Sequence, residues 1–190
     1  MSARKHCRPG YTLLEILIVL VLVAVIGRIA IPRVSLSRFR ADGAMRVAQA
    51  VLQQAERNAV QRQTDVMVSF DTVGGRVRMV YDVNNNHLVD AGEEVHWKSL
   101  EEGNRFAVPR IGVNGAVAKS IVGNNIATSA DGYPTVYYHR DGASSSGIEA
   151  YLRSSTAADS NGFRALVVTQ ATGRVDLYRS GDGQWRKVGF

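Results

Sequence analysis

Oxygen-bearing residues between positions 82 and 93 have the spacing of a cation-binding loop. They fall at loop positions 1, 3, 5, 9 and 12, with a backbone carbonyl at position 7: Asp82, Asn84, Asn86, Asp90, Glu93 and Leu88. Calcium loops of EF-hand type place their ligands at these positions. The glycine that such loops carry at position 6 is replaced by His87, and the flanking residues alternate as strands do. Two interpretations stay open, a weak Ca²⁺ site and a polar, Asn-rich hairpin.

The C-terminal segment places basic side chains beside aromatic ones. The basic residues are Arg174, Arg179, Arg186 and Lys187. Cations of this kind neutralise the phosphates of DNA, so a DNA contact is one interpretation. Asp176 and Asp182 lie among them and reduce the local charge. A solvated edge strand is the alternative interpretation.

No other set of residues indicates catalysis. The histidines at 87, 96 and 139 lack the spacing of metal ligands, and Ser144–Ser146 is not preceded by the strand-to-turn context of a nucleophilic serine. No glycine-rich phosphate loop follows a predicted strand. We therefore expect no enzymatic activity and no cofactor other than the Ca²⁺ considered above.

A long apolar segment near the N-terminus predicts a membrane helix. Leu13 to Ile31 is interrupted only by Glu15, Gly27 and Arg28, and a helix of this length spans roughly 28 Å, close to the ~30 Å thickness of a bilayer core. The first ten residues carry three cations and no acid, which places the N-terminus in the cytoplasm and the bulk of the chain across the membrane. A plain signal anchor is an alternative. A secretory signal peptide is less consistent, because the residues after the run do not form a small-x-small cleavage site.

Glu15 is the unusual residue of this segment. A carboxylate at the centre of a membrane helix costs about 2.5–3.5 kcal/mol, and less near its end. Such a residue either stays hydrated at the membrane surface or finds a cationic partner. Its sequence context favours the second interpretation.

The string Gly10-Tyr11-Thr12-Leu13-Leu14-Glu15 resembles the type IV prepilin motif, with tyrosine where phenylalanine is more common. The resemblance implies cleavage between Gly10 and Tyr11 by a prepilin peptidase, N-methylation of Tyr11, and a role for Glu15 in assembly. Cleavage would free an amine at Tyr11, with which Glu15 of a neighbouring subunit could pair in a low-dielectric helix bundle.

The remainder of the chain predicts an α+β fold, in which a long N-terminal helix packs on an antiparallel β-sheet domain. Residues 33–63 have helical periodicity, with a predicted apolar stripe of Val34, Phe39, Val47, Val51, Leu52, Ala55 and Ala59. After residue 63 the period becomes two, and seven strands are predicted, at 66–70, 76–81, 94–97, 135–138, 148–152, 165–169 and 174–178. Residues 112–134 are predicted to be loop.

This second part is similar to the GspH/FimT group, which comprises H-type pseudopilins of type II secretion and related minor pilins. The similarity lies in the helix end at 55–62, the turn at 138–142 and the hairpin at 165–175. It implies a pilin-like fold. Some FimT-like pilins bind DNA through a C-terminal Gly-Arg-x-Arg element, but here the second arginine position is Asp176.

The expected organisation is a leader at 1–10, a transmembrane helix at 11–32, its amphipathic continuation at 33–63 and a periplasmic β-rich domain at 64–190. The expected function is that of a minor pseudopilin or minor pilin, with a DNA-binding minor pilin for DNA uptake as the alternative. The implied partners are prepilin peptidase, other pilins in a helical fibre or tip complex, and inner-membrane lipid. DNA is a further partner only under the alternative.

Overall fold

A computed structural model of the chain describes residues 11–30, 36–100, 103–154 and 162–189, and for residues 27–30, 36 and 37 the backbone alone. The chain divides into two compact units, residues 1–36 and 37–190. The predicted leader, including Gly10, lies outside the described residues.

Helix α1, Leu13–Ala30, forms the apolar part of the first unit. Its large side chains between Leu13 and Ile26 are all exposed by 49% or more. In the part of the chain that the structure describes, no helix is both long and apolar enough to cross a membrane. The predicted transmembrane segment includes residues 31 and 32, which lie outside that part.

Helix α2, Leu36–Arg62, belongs to the second unit. One stripe of it is buried at the spacing of successive helical turns: Ala41, Ala44, Met45, Ala48, Val51, Leu52, Ala55 and Ala59. Most of these side chains are small, so the helix axis can approach the sheets closely. The predicted stripe is confirmed from Val51 onward but is wrong at Phe39, which is 77% exposed. A single long helix is not confirmed, because residues 31–35 between α1 and α2 are not described.

Among its described residues, the second unit also contains eleven strands. They are β1 Asp65–Asp71, β2 Arg76–Asp82, β3 Val95–Ser99, β4 Asn104–Phe106, β5 Ile121–Gly123, β6 Ala127–Thr128, β7 Pro134–Tyr138, β8 Ile148–Ser154, β9 Phe163–Val168, β10 Val175–Gly181 and β11 Gln184–Lys187. The first sheet has the order β3-β2-β1-β7-β6, and the second has the order β11-β10-β9-β8-β4, with β5 also pairing with β8. All pairs are antiparallel, so the α+β class with antiparallel sheets is confirmed.

The seven predicted strands are all present, and β4, β5, β6 and β11 were missed. These four have two to four residues each, too few to show an alternating pattern. The prediction of loop throughout 112–134 is therefore wrong at β5 and β6, which pair with strands distant in the sequence.

One apolar core joins the helix to both sheets. The buried stripe of α2 shares a single cluster with alternate residues of the first sheet, such as Val68 and Tyr138, and of the second, such as Leu152 and Leu166. A fully buried side chain of this size contributes about 1.5–3 kcal/mol relative to an exposed one. The helix is thus held by the same core that joins the two sheets.

Candidate functional site

The predicted processing and assembly residues lie at the start of α1. Tyr11 is 80% exposed and precedes the helix. The Glu15 N–H donates to the hydroxyl of Thr12 at 3.2 Å and to its carbonyl at 3.1 Å, so Thr12 caps the helix. Among the described residues, the Glu15 carboxylate has no hydrogen-bond partner and is exposed.

The Thr12 cap was not predicted, although the sequence carries its signal. Thr-x-x-Glu before an apolar run is the capping-box pattern, with threonine at the N-cap and glutamate in the first turn. The carboxylate of Glu15 also lies at the helix end where the backbone dipole favours negative charge. The helix therefore begins two residues after the predicted cleavage point.

In the 82–93 segment, the first residue is buried and organises the turn. Asp82 is 0% exposed, and its carboxylate accepts hydrogen bonds from the N–H of Asn86 at 3.0 Å and of His87 at 2.7 Å. His87 adopts a φ of 61°, the left-handed conformation for which calcium loops use glycine at this position. The Glu93 carboxylate accepts from the N–H groups of Val83 and Asp90. The first and last predicted ligands thus close the loop on itself.

Asp90 accepts hydrogen bonds from two of the other predicted ligands. The side-chain amides of Asn84 and Asn86 donate to the same Asp90 oxygen at 2.8 and 2.6 Å, and these hydrogen bonds lower the pKa of Asp90. The amide oxygens of Asn84 and Asn86 accept hydrogen bonds from the backbone N–H groups of Asn86 and Leu88. Over the described ranges, no group of three or more acidic, histidine or cysteine side chains could hold a metal ion. Calcium binding by this loop stays a prediction.

The structure brings together two histidines, His87 and His139, that the sequence leaves scattered. His87 Nε2 and His139 Nδ1 lie 3.1 and 2.9 Å from the same oxygen of Asp65, whose side chain is 9% exposed. The ring of His87 also stacks on Tyr137, with centroids 4.2 Å apart. This contact fixes the 82–93 loop against the first sheet. Sequence spacing gave no signal for it, because 74 residues separate Asp65 from His139.

The predicted DNA-contacting cations do not form one patch of unpaired charge. Asp176 pairs with both Arg174, at 3.1 Å, and Lys187, at 2.6 Å. Arg186 lies 3.6 Å from Asp182. The fourth cation, Arg179, pairs with Asp42 of α2 at 2.9 Å. Every predicted cation thus has a carboxylate partner within the chain, and DNA binding stays a prediction.

Asp42 forms a charge cluster that was not predicted. One of its oxygens accepts from Nε of Arg164, whose side chain is 4% exposed, and the other pairs with Arg179. Arg164 also donates to the backbone carbonyls of Phe163 and Arg38. The cluster therefore joins the beginning of α2 to β9 and β10. It lines a cavity of about 280 Å³ together with Arg38 and residues 180–182.

Comparisons with known proteins support one of the two resemblances. No family model matches the sequence. The chain is 34% identical over 98 residues to the pilin-like protein PilA1 of Thermus thermophilus. The match covers 51% of this chain and 63% of the relative, so the chain spans less than two thirds of that protein's length.

Among solved structures, the minor pseudopilin EpsH from the Type 2 Secretion System of Vibrio cholerae gives a TM-score of 0.44 at 11% identity. That alignment covers 75% of this chain and 99% of EpsH. The sequence relative confirms the predicted resemblance of this chain to the type IV pilin-like proteins.

Proposed function

We propose that the chain is a structural subunit of a pilin-like fibre, and specifically a minor pseudopilin of H type or a minor pilin. In this proposal a prepilin peptidase cleaves the chain between Gly10 and Tyr11, and Tyr11 is N-methylated. The segment at 11–32 holds the subunit in the inner membrane, with the β-rich domain in the periplasm. The chain is a structural component and carries no catalytic role.

The proposal rests on the exposure of the apolar side chains of α1. Its large apolar side chains are exposed on all sides between Leu13 and Ile26, whereas a helix that packs on a globular domain has one apolar face. A helix that is apolar all round requires an apolar environment on all sides, such as lipid or the helices of other subunits. The pilin-like relative provides independent support for the second environment.

In this proposal, Glu15 sets the register between the α1 helices of neighbouring subunits. It is the one charged residue of α1 before Arg28, and its carboxylate has no hydrogen-bond partner in the described chain. Removal of the leader would create a cationic amine at Tyr11, four residues earlier. Pairing between the amine of one subunit and Glu15 of the next would offset the cost of burying either charge among apolar helices.

The decisive experiment compares two carboxylates of the same chain. Glu15→Gln and Glu56→Gln each remove one negative charge without changing side-chain shape. Each variant is expressed with the peptidase and the other pilin-like subunits, and its amount in the purified fibre fraction is measured relative to the membrane fraction. We expect Glu15→Gln to remain in the membrane and to be reduced at least tenfold in the fibre, because the intersubunit ion pair is lost, while Glu56→Gln assembles normally.

Equal incorporation of both variants would contradict the role of Glu15. A fibre fraction that lacks the unmodified chain altogether would contradict the proposal as a whole.

DNA uptake remains the alternative function, and the carboxylate partners of all four cations give it no added support.

A further inference from the structure

We propose that the cavity beside Asp42 binds the phosphate headgroup of an anionic phospholipid. The cavity lies between the first turns of α2 and the end of β10, and arginines supply three of its seven lining residues: Arg38, Arg164 and Arg179. Its volume of about 280 Å³ is several times the ~30 Å³ that a water molecule occupies in the liquid. No part of the predicted pilin motif contributes to it.

The cavity is lined by more positive than negative side chains. Two carboxylates, Asp42 and Asp182, face the three arginines in the lining. Asp42 uses one oxygen for Arg164 and the other for Arg179, and Asp182 lies 3.6 Å from a further arginine, Arg186. Counting Arg186, four cations surround two anions, which leaves a local charge of +2.

Among the residues that the structure describes, Arg38 is a cavity-lining cation with no carboxylate partner. Its side chain is exposed. It lies one helical turn before Asp42, on the same side of α2. Arg179 is 45% exposed, and a guanidinium has five N–H donors, more than its ion pair with Asp42 uses. Two arginines with spare donors on one cavity match the bidentate recognition of phosphate oxygens.

The position of the cavity along the chain selects lipid as the source of the phosphate. Arg38 lies six residues after Pro32, the last residue of the predicted membrane segment. Even a fully extended chain of six residues spans no more than about 22 Å. Chain length alone therefore limits the distance between Arg38 and the end of the proposed membrane segment. This step depends on the proposed membrane anchoring, whereas the cavity and its charges do not.

The test measures thermal melting of the full chain in a nonionic detergent. The chain is titrated with dihexanoyl phosphatidylglycerol, dihexanoyl phosphatidylcholine or inorganic phosphate. A ligand that binds the native state raises the Tm with a saturable midpoint. We expect the anionic lipid to raise the Tm and the other two to have little effect at equal concentration.

Arg38→Gln and Arg57→Gln are the matched variants. Both arginines are exposed on α2, about 28 Å apart along the helix, and both variants lose one charge. A basic residue near an anionic headgroup contributes about 1 kcal/mol, which converts to a roughly fivefold higher midpoint for Arg38→Gln. Arg57→Gln should match the unmodified chain.

Three outcomes would overturn the proposal: an equal Tm rise with phosphatidylcholine, an equal rise with inorganic phosphate, or an equal loss in the two variants. Failure of the membrane anchor is seen separately, as recovery of the chain in the soluble fraction of cells without detergent. That result would remove the function proposed for α1 but would leave the melting comparison interpretable.

Discussion

Helix α1 carries a carboxylate in its first turn and helix α2 carries one in its second turn, and the two carboxylates have opposite surroundings. Asp42 of α2 is held by Arg164 and Arg179 of the same chain. Glu15 of α1 has no such partner in the described chain. The apolar residues differ in the same way, since α2 buries one stripe in the core and α1 exposes its apolar side chains on every side. The buried stripe of α2 stabilises the subunit itself, whereas the exposed apolar side chains of α1 are the ones proposed to contact lipid or other subunits.

The largest expected difference in the free energy of unfolding is between the variants that remove each carboxylate in turn. Asp42→Asn removes the charge that Asp42 supplies to the buried side chain of Arg164, and breaking one side of a buried ion pair typically costs about 3–5 kcal/mol. Because Asp42 is 21% exposed, we expect the lower end of that range. Glu15→Gln should leave the free energy of unfolding unchanged. Thermal melting of the full chain in detergent measures both. Similar melting of the two variants would contradict the proposed difference between Asp42 and Glu15 in their contribution to stability.

Replacing one leucine in each helix by alanine should give almost as large a difference in the loss of stability. Leu52 is 0% exposed in the core, so Leu52→Ala should cost about 2–5 kcal/mol by removing contacts and leaving a cavity. Leu17 is 55% exposed, so Leu17→Ala should not change the melting of the β-rich unit. The same melting measurement serves as readout. A comparable loss in both variants would show that α1 also belongs to the core of the subunit.

Calcium should stabilise the second unit by a smaller amount, through the 82–93 loop that follows β2. If the 82–93 loop binds Ca²⁺ in the weak extracellular range, with a dissociation constant near 1 mM, then 10 mM Ca²⁺ should add about 1.4 kcal/mol. That gain corresponds to a Tm rise of roughly 3–6 °C. The rise should be absent in Asp82→Ala. Identical melting in Ca²⁺ and in chelator would show that the loop is a polar hairpin closed by its own hydrogen bonds.

The smallest expected effect concerns Glu56, a carboxylate on the partly buried side of α2. Burial raises its pKa, so the charged form is disfavoured in the folded state. The protonated carboxyl group of Glu56 therefore makes its full contribution to stability below the ordinary pKa of a glutamate. That contribution is lost as the pH rises through the raised pKa of Glu56 in the folded state. Glu56→Gln should melt slightly higher at pH 7, within roughly 2 °C, and identically near pH 4. A lower Tm at pH 7 would contradict this.

The sequence was sufficient for features that depend on local pattern. The resemblance at Gly10–Glu15, the strand alternation and the stripe of α2 beyond Val51 are visible in neighbouring residues. Phe39 was misassigned because periodicity alone cannot tell which end of a helical stripe meets the core. The short strands β4, β5, β6 and β11 give no alternating signal of their own and form only because a longer strand pairs with them.

Features that depend on distant pairing could not be predicted. Asp42 and Arg164 are 122 residues apart, and their meeting depends on how α2 lies across the second sheet. Likewise, the convergence of His87 and His139 on Asp65 follows from the pairing of β1 with β7. In both places, nothing in the residue types or their local sequence indicates a cluster. The residues come together only through the topology of the fold.

Mass spectrometry of the mature N-terminus would show whether the chain is processed as a prepilin. The full chain is expressed with an active prepilin peptidase and purified from membranes, and the mass of its N-terminal peptide is measured. The expected mature chain begins at methylated Tyr11. A chain that still begins at Met1 or Ser2 in the presence of the active peptidase would contradict this processing.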